Sequence, residues 1–281
     1  MSCSETTYDF DLQGHRGARG LAPENTIQSF LTALDHGVDT IELDLVVSND
    51  RQLVVSHEPW FHHSITSRPD GAPVTEAEQH DLNLFEMDYD EIRQFDVGRR
   101  GNPNFPEQQP AEAVKPLLRE AVQAIEAYTI ENNLPPVYYN METKSNADWY
   151  GRYVPQPEEF VQLIYSELAE LAILDRTTIQ SFDPATLQAL RQIDPDVSQA
   201  ILVSDSTSIP NMIHQIGYTP EIWSPNYQRV TPRVLQDAHR RGMKVIPWTI
   251  NETKEMKRQL NMGVDGIITD YPNRAAGLHN R

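Results

Sequence analysis

TTIQSFDPATLQALRQIDPDVSQAILV, residues 177–203, contains one complete turn of the pattern that decides the fold. Thr177–Phe182 is short and β-branched and reads as a strand. Asp183-Pro184 then supplies a side-chain cap and a first-turn proline, which opens a helix, and Ser198–Val203 reads as the next strand. Strand, helix and strand in such close succession make a βα unit of a parallel sheet. On either side the same alternation recurs, with further strands predicted at Tyr8–Gly14, Thr40–Val47, Val137–Glu142, Glu221–Ser224, Lys244–Thr249 and Gly266–Thr269. About eight such units are present, the number that closes a (β/α)8 TIM barrel. The expectation is therefore an α/β barrel, with residues 1–281 as a single domain.

Helix signals support that reading. Pro23 precedes a helix predicted to begin near Glu24, in which Ile27, Phe30, Leu31 and Leu34 recur at helical spacing before Gly37 stops it. Thr231-Pro232 opens a later helix and Gly242 closes it. One stretch breaks the alternation: residues 59–116 are rich in Pro, Asp, Asn and Gln, with a weak helix at Tyr89–Gln94. This is too long for an ordinary βα loop, so it reads as an insertion over the C-terminal face of the barrel, after the second-strand region.

The formal net charge of -18 bears on partners. Such a surface repels nucleic-acid phosphates and anionic headgroups, so no nucleic-acid partner is expected. A site that handled phosphate here would need a cation or a few basic side chains at its centre. No segment reaches the length of a membrane-spanning helix, so no integral membrane segment is expected. Cys3 is the single cysteine, which excludes an intrachain disulfide. The opening Met-Ser-Cys-Ser resembles a processed bacterial lipoprotein, giving a lipid anchor at Cys3 and a periplasmic or outer-surface location as one expectation and an ordinary cytoplasmic N-terminus as the other.

The densest chemistry follows the first strand, at His15-Arg16-Gly17 and Pro23-Glu24-Asn25-Thr26. A barrel places that junction at its functional face. Histidine there can exchange a proton near neutral pH, and arginine can fork around phosphate oxygens. In the second strand Glu42 and Asp44 lie two apart and leave the same face, while Ile41, Leu43 and Leu45 leave the other. Two carboxylates inside a barrel are costly unless a cation neutralises them. Glu142 ends the third predicted strand, with Lys144 two residues on. Three carboxylates suit a hard divalent cation, Ca²⁺ or Mg²⁺, whereas Glu142 with Lys144 taken alone reads equally as a structural ion pair. The run Leu53–Glu58 delivers His57 toward the same mouth, and two histidines beside a phosphate can serve as base and acid. His62, His63, His80, His214, His239 and His279 sit in polar or amphipathic contexts that fit surface or packing roles.

The runs HRGARGLAPENT, DTIELDLVVSNDRQLVVSHE, YNMETK, QSF, PWTIN and GVDGIITDYP, in this order, resemble the glycerophosphodiester phosphodiesterase family over essentially the whole chain. The FDVG and FPEQQ pieces of the insertion resemble it as well. The resemblance implies a (β/α)8 barrel and an enzyme that cleaves small-molecule glycerophosphodiesters to an alcohol and glycerol 3-phosphate. It implies His15 and His57 as catalytic, Glu42, Asp44 and Glu142 as ligands of a divalent cation, and Arg16, Lys144 and Trp248 against substrate. Glu24 and Asn25 match supporting residues of the first loop, and Gln180 matches a residue at the mouth. The family usually has Asp after the second histidine, where this chain has Glu58. Alternative readings are a lysophospholipase D-like activity on lipid headgroups, which the acidic surface disfavours, and a non-catalytic barrel that binds phosphorylated polyols. The sequence leaves open whether water or the substrate's own glycerol hydroxyl attacks.

Overall fold

A computed structural model describes residues 7–279 of the chain, so Cys3 lies outside the described residues. Eight parallel strands form the barrel: β1 (Asp11–Gly14), β2 (Thr40–Val47), β4 (Tyr138–Thr143), β5 (Thr177–Ser181), β6 (Ser198–Val203), β7 (Ile222–Pro225), β8 (Lys244–Val245) and β9 (Gly266–Thr269). One further strand, β3 (Leu53–Val55), pairs antiparallel with the end of β2. The helices α1 (Ile27–Asp35), α3 (Leu118–Glu131), α4 (Pro157–Glu170), α5 (Pro184–Ile193), α6 (Ile209–Ile216), α7 (Pro232–Arg240) and α8 (Thr253–Met262) return the chain between strands, while α2 (Tyr89–Ile92) belongs to the insertion. No helix of the described residues is long and apolar enough to cross a membrane.

Three elements differ from the sequence reading, each for a local reason. The first helix begins at Ile27 and not near Glu24, because Asn25 takes a left-handed φ of 55° and Thr26 caps, its Oγ1 accepting from the Ser29 amide at 3.2 Å. Strand β8 is two residues long where six were expected, since Pro247 offers no N–H to continue the ladder. Its backbone nonetheless stays against both neighbours: Ile246 N donates to Trp223 O at 3.1 Å, and Ile268 N to Pro247 O at 3.0 Å. The second of these, with Asp265 N to Val245 O at 3.0 Å, bridges β8 to β9 and closes the barrel. The run after the turn at residues 50–52 is itself the strand β3. The caps predicted at Asp183 and Thr231 are present, each accepting from a first-turn amide.

Every residue of β2 is buried, as expected when one face lines the barrel and the other meets helices. The outward side chains Ile41, Leu43, Leu45, Tyr139, Met141, Ile179 and Ile201 join the apolar faces of the helices in one large core. The inward side chains divide. Ala200, Ile222, Ile246 and Ile268 make a small apolar plug on one side. On the other a hydrogen-bonded chain crosses the interior, with Asn140 Nδ2 donating to Gln13 Oε1 at 2.7 Å and to Gln180 Oε1 at 3.1 Å, and Gln180 Nε2 to Glu42 Oε1 at 2.7 Å. The polar half is the half that carries the carboxylates.

The insertion packs on this frame through a core of its own residues, Phe61, Val74, Leu84, Tyr89, Ile92, Phe95 and Val97, sealed against Val46 and Val54. Its later part grips the loop after β1: Gln108 Nε2 donates to Arg19 O and Ala22 O, and Gln109 N to Leu21 O. That loop is also held from below. Gly17 has φ +82°, and a Cβ there would lie 2.5 Å from Ser29 Oγ and 2.6–2.7 Å from the Ser29 backbone. Gly17→Ala is thus expected to lower unfolding stability by about 2 kcal/mol or more, from a strained φ and a clash against backbone. A denaturant melt matching the wild type would refute this.

Candidate active site

Glu42 and Asp44 project inward from β2, and the register of β4 sets Glu142 directly across from Asp44. Ligand oxygens of the three lie within 4.8 Å of one another, and all three residues are buried. Like charges this close in a low-dielectric interior resist ionisation together. Burial and then the charge of Asp44 push Glu42 well above the usual carboxylate range, and burial raises Glu142 despite Lys144 beside it. Burial works against Asp44 too, but Lys144, His57 and Arg16 outweigh it and hold Asp44 low.

The hydrogen bonding shows what the cluster lacks. Glu42 accepts at both oxygens, from Gln180 Nε2 and the Arg16 amide, each at 2.7 Å. Asp44 Oδ2 accepts from Asn25 Nδ2 at 2.8 Å, yet Asp44 Oδ1 is buried and accepts no hydrogen bond. A buried, anionic, unsatisfied oxygen facing two further carboxylates is the arrangement that a hard divalent cation completes. The donor set therefore fits such an ion.

Two cations border the triad. Lys144 Nζ donates to Glu142 Oε1 at 2.7 Å and lies 3.7 Å from Asp44 Oδ1. Arg16, with left-handed φ 51°, turns its guanidinium inward, where Nη1 donates to Glu24 Oε1 at 2.6 Å and Nε lies 3.3 Å from Asp44 Oδ2. Glu24 and Asn25 thus act on the site through contacts the sequence did not specify, Glu24 by holding Arg16 and Asn25 by holding Asp44. Trp248 sits across the mouth, its Nε1 donating to Ser224 O at 2.9 Å and its ring edge-on to Phe182, with centroids 5.5 Å apart. Phe182 is 41% exposed, which makes that wall of the mouth aromatic and wet.

Each histidine is held at Nδ1 by a carboxylate. His57 Nδ1 lies 2.5 Å from Glu58 Oε1, and its charge acts on Asp44 and Glu142. Glu58, which stands where the family usually has Asp and reads from the sequence as a supporting residue more than a ligand, therefore contacts the imidazole directly. His15 Nδ1 lies 2.6 Å from Asp270 Oδ1. Asp270 was not singled out from the sequence, although it stands just past the C-terminal end of β9, where barrel residues reach the functional face. It is fixed in turn by Arg19 Nε at 2.9 Å and Asn251 Nδ2 at 2.7 Å. A carboxylate accepting from Nδ1–H leaves Nε2 of each ring as the atom available for proton exchange.

Burial, and after it Arg19, brings the His15 pKa down to about 4 against the pull of Asp270. His15 is thus neutral at physiological pH and stays so until pH nears that value. Asp270→Asn removes the acceptor that selects the Nδ1–H tautomer, so turnover is expected to fall by about 10- to 100-fold with the melting temperature little changed. Wild-type turnover in that variant would dissociate Asp270 from the chemistry. The other histidines find local partners: His62 stacks on His63, His80 meets Trp60, and His239 pairs with Asp265 at 2.8 Å.

Fold and mouth together define a barrel enzyme acting on phosphoric diesters. Residues 15–274 match the model of the glycerophosphoryl diester phosphodiesterase family, and the chain belongs to that family. It is 29% identical over 268 residues to a glycerophosphodiester phosphodiesterase of Bacillus altitudinis, covering 94% of this chain and 96% of the relative. Among solved structures, a chain from Silicibacter pomeroyi DSS-3 classed with the glycerophosphoryl diester phosphodiesterases superposes with a TM-score of 0.85 at 30% identity, covering 98% of this chain and 97% of the other. A phosphodiesterase of Oleispira antarctica, solved in complex with the product sn-glycerol 3-phosphate, shares the fold with a TM-score of 0.74 at 21% identity, covering 94% of each chain. The protein is an enzyme that hydrolyses glycerophosphodiesters.

Proposed function

We propose that this hydrolysis depends on a divalent cation, Ca²⁺ or Mg²⁺, held by Glu42, Asp44 and Glu142, and that His15 and His57 move the protons. A bound cation would supply positive charge to the non-bridging phosphate oxygens as the transition state gathers charge there. Lys144 adds charge on the same side, and the N–H groups of Arg16 not engaged by Glu24 and Asp44 face the same task. His15, neutral and with Nε2 free, takes the proton of the attacking hydroxyl as its oxygen bonds to phosphorus. His57 delivers a proton to the alcohol oxygen as the phosphorus–oxygen ester bond breaks. The products are the free alcohol and sn-glycerol 3-phosphate, the latter being the product bound by the Oleispira antarctica fold-mate.

The observation that carries this reading is the pairing of a buried carboxylate triad, in which Asp44 Oδ1 accepts no hydrogen bond, with two imidazoles whose Nδ1 atoms are both tied to carboxylates. The test is release of the headgroup alcohol, choline or ethanolamine, from glycerophosphocholine, glycerophosphoethanolamine and lysophosphatidylcholine side by side. Release from the first two above the third is expected. Turnover of lysophosphatidylcholine alone would replace this reading with a lysophospholipase D activity.

A further inference from the structure

We propose that Lys115, a buried lysine at the end of the insertion, is a positioning residue for His57. It acts through the Ser56 hydroxyl and through the charge it places behind Glu58. The proposal rests on the reading of His57 given above and adds to it a residue that neither the sequence motifs nor the mechanism uses.

Lysine ammonium groups stay in water on their flexible stems unless something holds them inside. Lys115 is only 5% exposed. Its Nζ donates at 2.7 Å to Ser56 Oγ, a neutral acceptor, and lies 5.5 Å from the Phe61 ring centroid. Its backbone is fixed as well, for Lys115 O accepts from Tyr89 Oη at 3.2 Å and the adjoining Pro116 O accepts from Val55 N at 2.9 Å. Burial lowers the pKa of the ammonium, and Glu58, Glu24 and Asp44 oppose that shift while Arg16 adds to it. A buried ammonium with one neutral hydrogen-bond partner thus has its charge favoured only by carboxylates it does not touch, and Glu58 is foremost among them.

Two connections run from Lys115 to the imidazole. The first is mechanical: Ser56 Oγ, held by Lys115, donates to Glu58 O at 2.6 Å, and Ser56 N donates to Asp44 O at 3.0 Å. The turn that presents His57 is therefore braced between the insertion and the metal-site strand. The second is electrostatic. Burial alone would raise Glu58, but its bond to His57, the charge of His57, and then Arg16 and Lys115 hold it far below the usual carboxylate range. An ionised Glu58 accepts Nδ1–H and so leaves Nε2 facing the chemistry as the atom that carries and delivers the proton. The charged groups that act on this carboxylate are His57, Arg16 and Lys115, and it acts in turn on Glu24 and His62.

Lys115→Met keeps the stem and removes the charge, Lys115→Arg restores it, and Ser56→Ala cuts the hydrogen-bonded link while leaving the charge of Lys115 in the chain. With full-length protein at a pH where the His57 ring has been deprotonated, its ¹⁵N shifts are expected to show one Nδ1–H tautomer in the wild type and a mixture in Lys115→Met and Ser56→Ala. On glycerophosphocholine, Lys115→Met is expected to lose about tenfold in kcat with KM little changed, and Lys115→Arg to recover most of that loss. A single Nδ1–H tautomer in folded Lys115→Met, or an arginine variant as impaired as the methionine one, would overturn the proposal. A wild-type chain without turnover would instead sink the functional reading, and the tautomer measurement would then decide on Lys115 alone.

Discussion

His15→Ala and His57→Ala are each expected to lower kcat on glycerophosphocholine by roughly 10²-fold or more, the share that positioned proton transfer commonly contributes. The fold should survive both changes. After His15→Ala, Asp270 keeps Arg19 and Asn251 as partners. After His57→Ala, Glu58 loses its direct partner, but its side chain is 20% exposed and water can take the place of the ring. Neither change therefore strands a buried charge, which is the usual route from an active-site substitution to a collapsed protein. Neither ring is a predicted cation ligand, so KM should move far less than kcat. Circular dichroism and the melting temperature provide the control. Retained turnover in either variant would remove that histidine from the mechanism.

Glu42→Gln is expected to abolish activity by on the order of 10²-fold or more while leaving the metal-free fold intact. Burial and the charge of Asp44 push the Glu42 carboxyl upward, so removing its charge relieves like-charge repulsion among the three carboxylates. The wild type should gain melting temperature when Ca²⁺ or Mg²⁺ is added, because an ion that binds only the native state stabilises it by mass action. Glu42→Gln should lose most of that gain. If the variant responded to the ions as the wild type does, Glu42 would not be a ligand.

Much of this architecture was legible from residue patterns because the barrel repeats one physical rule. Proline after a capping Asp or Thr, and β-branched runs between helices, specify βα units without tertiary information, and Asp183 and Thr231 cap where expected. The spacing of Glu42 and Asp44 fixes their common face through the strand period alone. Other features depend on contacts between segments far apart in the chain. Asp270 meets His15 across 255 positions, Lys115 reaches Ser56 from the far end of the insertion, and Gln180 finds Glu42 across the barrel. No periodicity encodes such pairings. Strand β8 was overestimated because Pro247 interrupts its ladder although the backbone continues along the barrel. The start of α1 was misplaced by two or three residues because the left-handed turn at Asn25 leaves no mark in hydrophobic spacing.

The most direct test of the central claim is glycerol 3-phosphate release from glycerophosphocholine by protein stripped with a chelator and dialysed, assayed before and after Ca²⁺ or Mg²⁺ is restored. Loss of turnover on stripping and its return with one of these ions is the predicted result. Undiminished turnover in the stripped protein would contradict it.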